Sequence, residues 1–185
     1  MPGQTSSGGQ DAFVLAYDPF GTVLWTRQFG TPADDAAAGI TVDAHGTSYV
    51  AGSTAGTLAG QTSSGSVDAF VRALDSAGND LWTRQFGGRD LDAAIDVAVA
   101  GGNAYVAGIT DGTLRGQTSA GERDAFLVKI GFRPPAIQSL IDRACDGLDQ
   151  LIADIQSQSG HQIPARRAAL PIAAANQIEA TLDCR

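Results

Sequence analysis

The chain has 185 residues, 43% hydrophobic and 17% charged, with 23 glycines and a formal net charge of −8. It is too apolar for a disordered chain and too rich in glycine for a helical bundle, and it is long enough to bury a core without metal staples. The excess acid lies in residues 1–131, with 14 acids against 7 bases, compared with 6 and 5 in residues 132–185, and Lys129 is the single lysine. A binder of phosphate backbones needs clustered Lys and Arg, so the composition argues against a nucleic-acid partner. No run of about 18 apolar residues is present, which argues against a membrane span. Met1-Pro2-Gly3-Gln4-Thr5 has neither the charged nor the apolar region of a signal peptide.

Internal repetition dominates the chain from its start. Gly3-Gln4-Thr5-Ser6 returns as Gly60-Gln61-Thr62-Ser63 and as Gly116-Gln117-Thr118-Ser119, each copy leading into Asp-Ala-Phe at Asp11, Asp68 and Asp124. These landmarks are 57 and 56 residues apart. Leu24-Trp25-Thr26-Arg27-Gln28-Phe29-Gly30 is copied unchanged at 81–87, and Tyr49-Val50-Ala51-Gly52 at 105–108. Two full periods and the opening of a third are therefore present, starting near residues 3, 60 and 116.

Each period reads as four strands, at 12–17, 22–29, 38–43 and 47–52 in the first, rich in Val, Ile, Tyr, Phe and Trp. Asp18-Pro19-Phe20-Gly21, Asp43-Ala44-His45-Gly46 and Asp75-Ser76-Ala77-Gly78 are turn tetrapeptides that make antiparallel hairpins of the neighbouring strands. Phe13-Val14-Leu15-Ala16-Tyr17 is apolar on both alternating faces, as a sheet stacked between sheets requires. Four strands per period is the content of one propeller blade. The expected fold class is mainly β: an incomplete β-propeller-like array of four-stranded antiparallel blades with a C-terminal α-helical hairpin.

The ordered string Asp-Ala-Phe-Val, Asp-x-x-Gly, Leu-Trp-Thr-Arg-Gln-Phe-Gly, an acidic pair, Ile-x-Val-Asp-x-x-Gly and Tyr-Val-x-Gly resembles the bacterial seven-bladed β-propeller (SBBP) repeat over residues 1–131. That resemblance implies an exported or cell-surface setting and a scaffold or binding role without a common enzymatic activity. Asp18-x-x-Gly21-x-x-x-Trp25 and Asp75-x-x-Gly78-x-x-x-Trp82 are also similar to the tryptophan-docking motif of quinoprotein propellers, whose indole packs on the next blade. Trp25, Trp82, Tyr49, Tyr105, Phe13, Phe70 and Phe126 are accordingly expected to be structural anchors. The quinoprotein-like spacing would make residues 11–17 and 23–29 the two outer strands of a blade, and other divisions fit as well.

In the third copy the Trp strand is replaced by Phe132-Arg133-Pro134-Pro135, and the pattern turns helical. Ile137, Leu140, Ile141, Ala144, Leu148, Leu151, Ile152 and Ile155 form one stripe. Helices are expected over about 136–158 and 165–182, the second broken near Pro171, which lacks the amide a helix interior needs. Cys145 shares the stripe and Cys184 lies near the end of the return segment, a spacing compatible with a disulfide or with two free thiols.

Catalytic chemistry has few carriers. His45 falls in a hairpin turn and His161 between the helices, and the many glycines are turn glycines rather than a phosphate loop. No catalytic residue and no cofactor is assigned. Asp34, Asp35, Asp90 and Asp92 are calcium candidates that lack the alternating spacing of a calcium loop, and they read better as solvated loop carboxylates capping the next strand. The Thr-, Ser- and Gly-rich loops 56–67 and 112–123 offer a surface for protein or weak carbohydrate binding. The expected function is a non-enzymatic repeat protein with structural or protein contacts. The alternatives are a fragment of a quinoprotein-like or hydrolase-like propeller enzyme, and a calcium- or carbohydrate-binding module. Two periods do not close a ring, so a protein partner or self-association is expected to complete it.

Overall fold

The computed structural model describes residues 3–131, 135–158 and 165–182. The chain divides into a β unit, residues 1–132, and a helical unit, residues 133–185. The β unit contains β1 (Ala12–Tyr17), β2 (Val23–Phe29), β3 (Asp35–Val42), β4 (Ser48–Thr54), β5 (Asp68–Leu74), β6 (Asp80–Phe86), β7 (Asp92–Ala100), β8 (Asn103–Thr110) and β9 (Asp124–Gly131). All the pairings are antiparallel, in a two-stranded sheet β1-β2, a four-stranded sheet β3-β4-β5-β6 and a three-stranded sheet β7-β8-β9.

This is the expected mainly β architecture of propeller-like blades, and strand pairing fixes the blade phase that the sequence left open. A blade is not one sequence period. The complete sheet takes β3 and β4 from the first period and β5 and β6 from the second. The reason is the connections: the 55–67 loop lies inside a sheet, joining β4 to its neighbour β5, whereas the short 30–34 and 87–91 segments carry the chain between sheets. The strands β1 and β2 are therefore the outer pair of their blade, the division that the Trp spacing favoured.

The central strands β4 and β5 of the complete sheet are buried on both faces, because successive residues of a strand point to opposite sides. Tyr49, Ala51, Ala69, Val71 and Ala73 face the third sheet, where they meet Ala94, Val97, Ala104 and Val106. Val50, Phe70 and Leu74 face the first sheet and meet Ala12, Val14 and Phe29. Phe70 meets Phe29 edge-on with centroids 5.8 Å apart, and Phe126 repeats the contact on Phe86 at 5.9 Å. The strands β3 and β7 run so close that a Cβ on Gly39 would sit 2.7 Å from the Asp96 Cα, which is why this position has no side chain.

Trp25 fixes the first two sheets. Its Nε1–H donates to the Ser76 carbonyl at 3.0 Å, in the β5–β6 turn of the next sheet, and Arg27 reaches Asn79 in the same turn. The indole lies over Gly78, whose φ of +77° and lack of Cβ leave room for the ring. Trp82 instead lies beside Tyr49, with centroids 6.0 Å apart. Tyr49 is buried and donates its hydroxyl to Asp43, and burial first, then that carboxylate, raises the phenol above its ordinary range.

The helical unit consists of α1 (Pro135–Gln158) and α2 (Ala165–Leu182), which pack on one another. Cys145, Leu148, Ile152 and Ile155 are half-buried on one side of α1, and Ala175 is buried on α2. Leu140 and Leu151, counted in the apolar stripe, are exposed. The expected break at Pro171 is corrected: α2 runs through it without interruption. The proline leaves one ladder donor missing for the Arg167 carbonyl, and the bonds on either side carry the helix past it. Cys145 is disulfide-bonded, while Cys184 and His161 lie outside the described residues. Neither described helix is long and apolar enough to cross a membrane.

Two outcomes follow from these contacts. Trp25→Ala should lower unfolding stability in urea by about 3 kcal/mol, through lost ring burial and an orphaned Ser76 carbonyl. The turn carboxylates set the pH dependence. Asp18 is held below the ordinary carboxylate range first by the Thr22 amide, and Asp75 first by the Asn79 side chain. A carboxyl depressed in the fold stabilises it above the unfolded value of about 4, and that contribution is lost as pH falls through the folded value. The melting temperature should therefore drop as the pH is taken below about 4, and Asp75→Asn should flatten that drop.

Candidate functional site

The repeated loops ahead of β1, β5 and β9 build a recurring seat for the strand that follows in each repeat. In the second copy the Gln61 amide donates to Leu58 O at 2.9 Å, closing a turn in which Gly60 has a φ of +72°. Gln85 of β6 then plugs into this loop. Its backbone amide donates to Gln61 Oε1 at 3.1 Å, its Nε2 donates to Gly56 O and Asp68 Oδ2 at 2.8 Å each, and its Oε1 accepts from the Leu58 amide at 2.9 Å. One half-buried glutamine thus ties the edge strand to the loop and to the first residue of β5.

The first copy repeats the arrangement. The Gln28 amide donates to Gln4 Oε1 at 3.0 Å and its Nε2 donates to Asp11 Oδ2 at 2.8 Å. Asp11 is held below the ordinary carboxylate range by the Ser6 hydroxyl first, then by Gln28 and the Ser7 amide.

The third copy has the seat without the strand. Gln117 donates to Leu114 O at 2.9 Å, and the Gly112 amide donates to the Thr110 hydroxyl, as Gly56 does to Thr54. Asp124 accepts from the Ala120 amide through Oδ2, and the Ser119 hydroxyl lies 2.9 Å from that same oxygen, which in the second copy takes the amide of Gln85. Among the described residues β9 pairs only with β8. A cavity of about 480 Å³ lies along it, lined by Gly112, Leu114, Gln117, Ser119, Asp124 and Phe126 among others.

The acidic residues act otherwise than the sequence suggests. Asp35 and Asp92 are not solvated loop residues: they open β3 and β7 and are buried, because each caps the turn before it. Asp35 Oδ2 accepts from the Thr31 amide and hydroxyl, and Asp92 Oδ2 accepts from the Gly88 amide. The Oδ1 atoms of Asp11, Asp35, Asp68 and Asp92 are buried without a hydrogen-bond partner. Asp34 accepts from the Gln10 amide, and Asp90 lines a second cleft, of about 570 Å³, with Arg89, Asp111 and Arg115. Among the described residues no three His, Cys, Asp or Glu side chains converge as a metal group.

Of the anchors named from sequence, Tyr49 and Phe70 are fully buried, Trp25, Trp82, Tyr105 and Phe126 are half-buried, and Phe13 is exposed. The glutamines of the seats went unassigned in the sequence. Their only signal was literal repetition, Gln28 with Gln85 and Gln4 with Gln61 and Gln117.

Residues 24–58 match the family model SBBP, described as a beta-propeller repeat. The chain carries an SBBP repeat. The matched span runs from the Trp strand β2 through β3 and β4 to Leu58 of the second seat. The chain is also similar to "Regulatory protein FlaEY" of Caulobacter vibrioides, 32% identical over 137 residues, which cover 68% of this chain and 14% of that protein. The chain thus matches a small part of the length of this relative.

The seats differ in what a substitution should cost. Gln85→Ala strips partners from Asp68, Leu58 N and Gly56 O, so urea unfolding should show a loss of about 2–3 kcal/mol. Gln117→Ala, in the seat that lacks its strand, should stay within about 0.5 kcal/mol of wild type.

Proposed function

We propose that this chain is a non-enzymatic SBBP scaffold, exported or surface-associated, whose work is blade-on-blade contact with protein. The observation that carries this reading is the uncovered face of the first sheet and of β3. Phe13 and Tyr17 correspond to Phe70 and Leu74, which are 0% exposed inside the array, yet they are 51% and 57% exposed. Ile40 of β3 corresponds to Val97 of β7, which is 4% exposed under the preceding sheet, yet Ile40 is 54% exposed. A cavity of about 230 Å³ opens beside Phe13 and Leu15 against Ala37, Ala38 and Ile40.

What the rest of the array places over these positions is another blade of the same repeat, and contiguous apolar surface of this kind marks an interaction site. The chemistry supports contact rather than catalysis. The buried carboxylates of Asp35 and Asp92 hold backbone amides, and His45 is an exposed turn residue beside Asp43. An exported setting is supported by the SBBP resemblance.

Light scattering over a range of concentrations tests the reading. The wild-type chain should associate, and Ile40→Glu and Phe13→Glu, both at exposed positions, should return it to monomer without loss of melting temperature. A wild-type chain that stays monomeric throughout, with the two variants indistinguishable from it, would overturn the proposal.

A further inference from the structure

We infer that the third seat is a strand-binding site, and that it takes an extended segment of another chain carrying Trp-x-x-Gln-Phe, added antiparallel to the free edge of β9. The inference rests on the reading of the chain as an interaction scaffold, but it uses a different surface, at the opposite end of the array from Phe13 and Ile40.

The seat is already built. The loop hydrogen bonds at Gln117, Gly112 and Asp124 reproduce those at Gln61, Gly56 and Asp68, so little ordering remains to be done on binding. In both filled seats the occupant is the same heptapeptide, Leu-Trp-Thr-Arg-Gln-Phe-Gly, at 24–30 and 81–87. A bound strand therefore has a defined register. In the complete sheet Phe70 pairs with Gln85, Val71 with Arg84 and Ala73 with Trp82. Carried over to β9, Phe126 pairs with the incoming Gln, Leu127 with the Arg and Lys129 with the Trp.

Each element of recognition has its physical term. The edge of β9 that is unpaired among the described residues supplies main-chain hydrogen bonds, as in strand addition to any open sheet, and it continues the β5–β6 interface of the complete blade. Gln117 Oε1, Gly112 O and Asp124 Oδ2 correspond to the acceptors that satisfy the amide hydrogens of Gln85, and the Leu114 amide to the donor that satisfies its Oε1. They therefore select a side-chain amide over a carboxylate, which would meet Asp124 as a like charge. Lys129, in the place of Ala73, sets an ammonium beside the incoming indole, a favourable cation–π pairing. Leu127, 71% exposed, gains cover from the strand.

The probe is a synthetic peptide of residues 79–88, Asn-Asp-Leu-Trp-Thr-Arg-Gln-Phe-Gly-Gly, labelled at its N-terminus and titrated with the full 185-residue chain by fluorescence anisotropy. Saturable binding is expected, weakened about tenfold or more when the peptide Gln is replaced by Ala and by a similar factor in the Gln117→Ala chain. The Phe13→Glu chain should bind the peptide as wild type does, so loss of self-association and loss of strand binding are read separately. No saturable binding, equal binding of a scrambled peptide, or binding undiminished by Gln117→Ala would each overturn the site. The last outcome would show the peptide exchanging into one of the filled seats.

Discussion

A four-stranded sheet that is apolar on both faces is stable only when both faces are covered, and this constraint organises the β unit. The cover is directional. One face of each outer hairpin presents small residues, Ala69, Val71 and Ala73 in the middle sheet and Ala12, Val14 and Ala16 in the first. The other presents large ones, Phe70 and Leu74, with Phe126 and Ile130 as counterparts in the third sheet. Stacking puts the large side of one sheet against the small side of its neighbour, so the order of the sheets follows from the alternation along each strand. Trp25 completes the contact by taking a carbonyl from the next sheet's turn, which fixes the angle at which the two sheets meet as well as their separation.

The offset between sequence period and blade gives the glutamine clamp its role. The Gly-Gln-Thr-Ser loop joins the two halves of a blade, and each half comes from a different period. Backbone pairing between β4 and β5 is one link across that junction, and Gln85 is the other, since it bonds to the loop on one side and to Asp68 at the head of β5 on the other. A side-chain amide suits the task because it donates and accepts at once, and here it meets a carbonyl, a carboxylate and an amide.

The sequence revealed those features that depend on short-range pattern. Alternation in Phe13–Tyr17 announced a sheet buried on both faces, the Asp-x-x-Gly tetrapeptides announced hairpins, and the Trp spacing announced a contact with the next blade. Blade phase was not legible, because a period has no origin until strand pairing chooses one. Asp35 and Asp92 read as solvated because adjacent acids usually are, and only the fold shows the turn amides that draw them inside. Pro171 was given too much weight, since one absent donor does not end a helix whose neighbouring bonds remain. The glutamines were in plain view as repeated letters. Their partners, however, are 17 to 29 residues away, a separation that periodicity does not resolve.

The two ends of the array differ in kind, and Lys129 is the residue that separates them. At the first sheet the uncovered positions are Phe13, Leu15 and Tyr17, all apolar and fit to lie beneath another sheet. At the third sheet the outward side of β9 reads Ala125, Leu127, Lys129 where the buried counterpart reads Ala69, Val71, Ala73. A lysine in the middle of a stacked face would have to be stripped of water, a cost that the apolar residues of the stacked faces here do not offset. At the edge of the sheet the same side chain keeps its ammonium in solvent and lays its stem along a neighbouring ring. One substitution therefore disfavours a further blade on this face and leaves the edge of β9, unpaired among the described residues, to the strand proposed above.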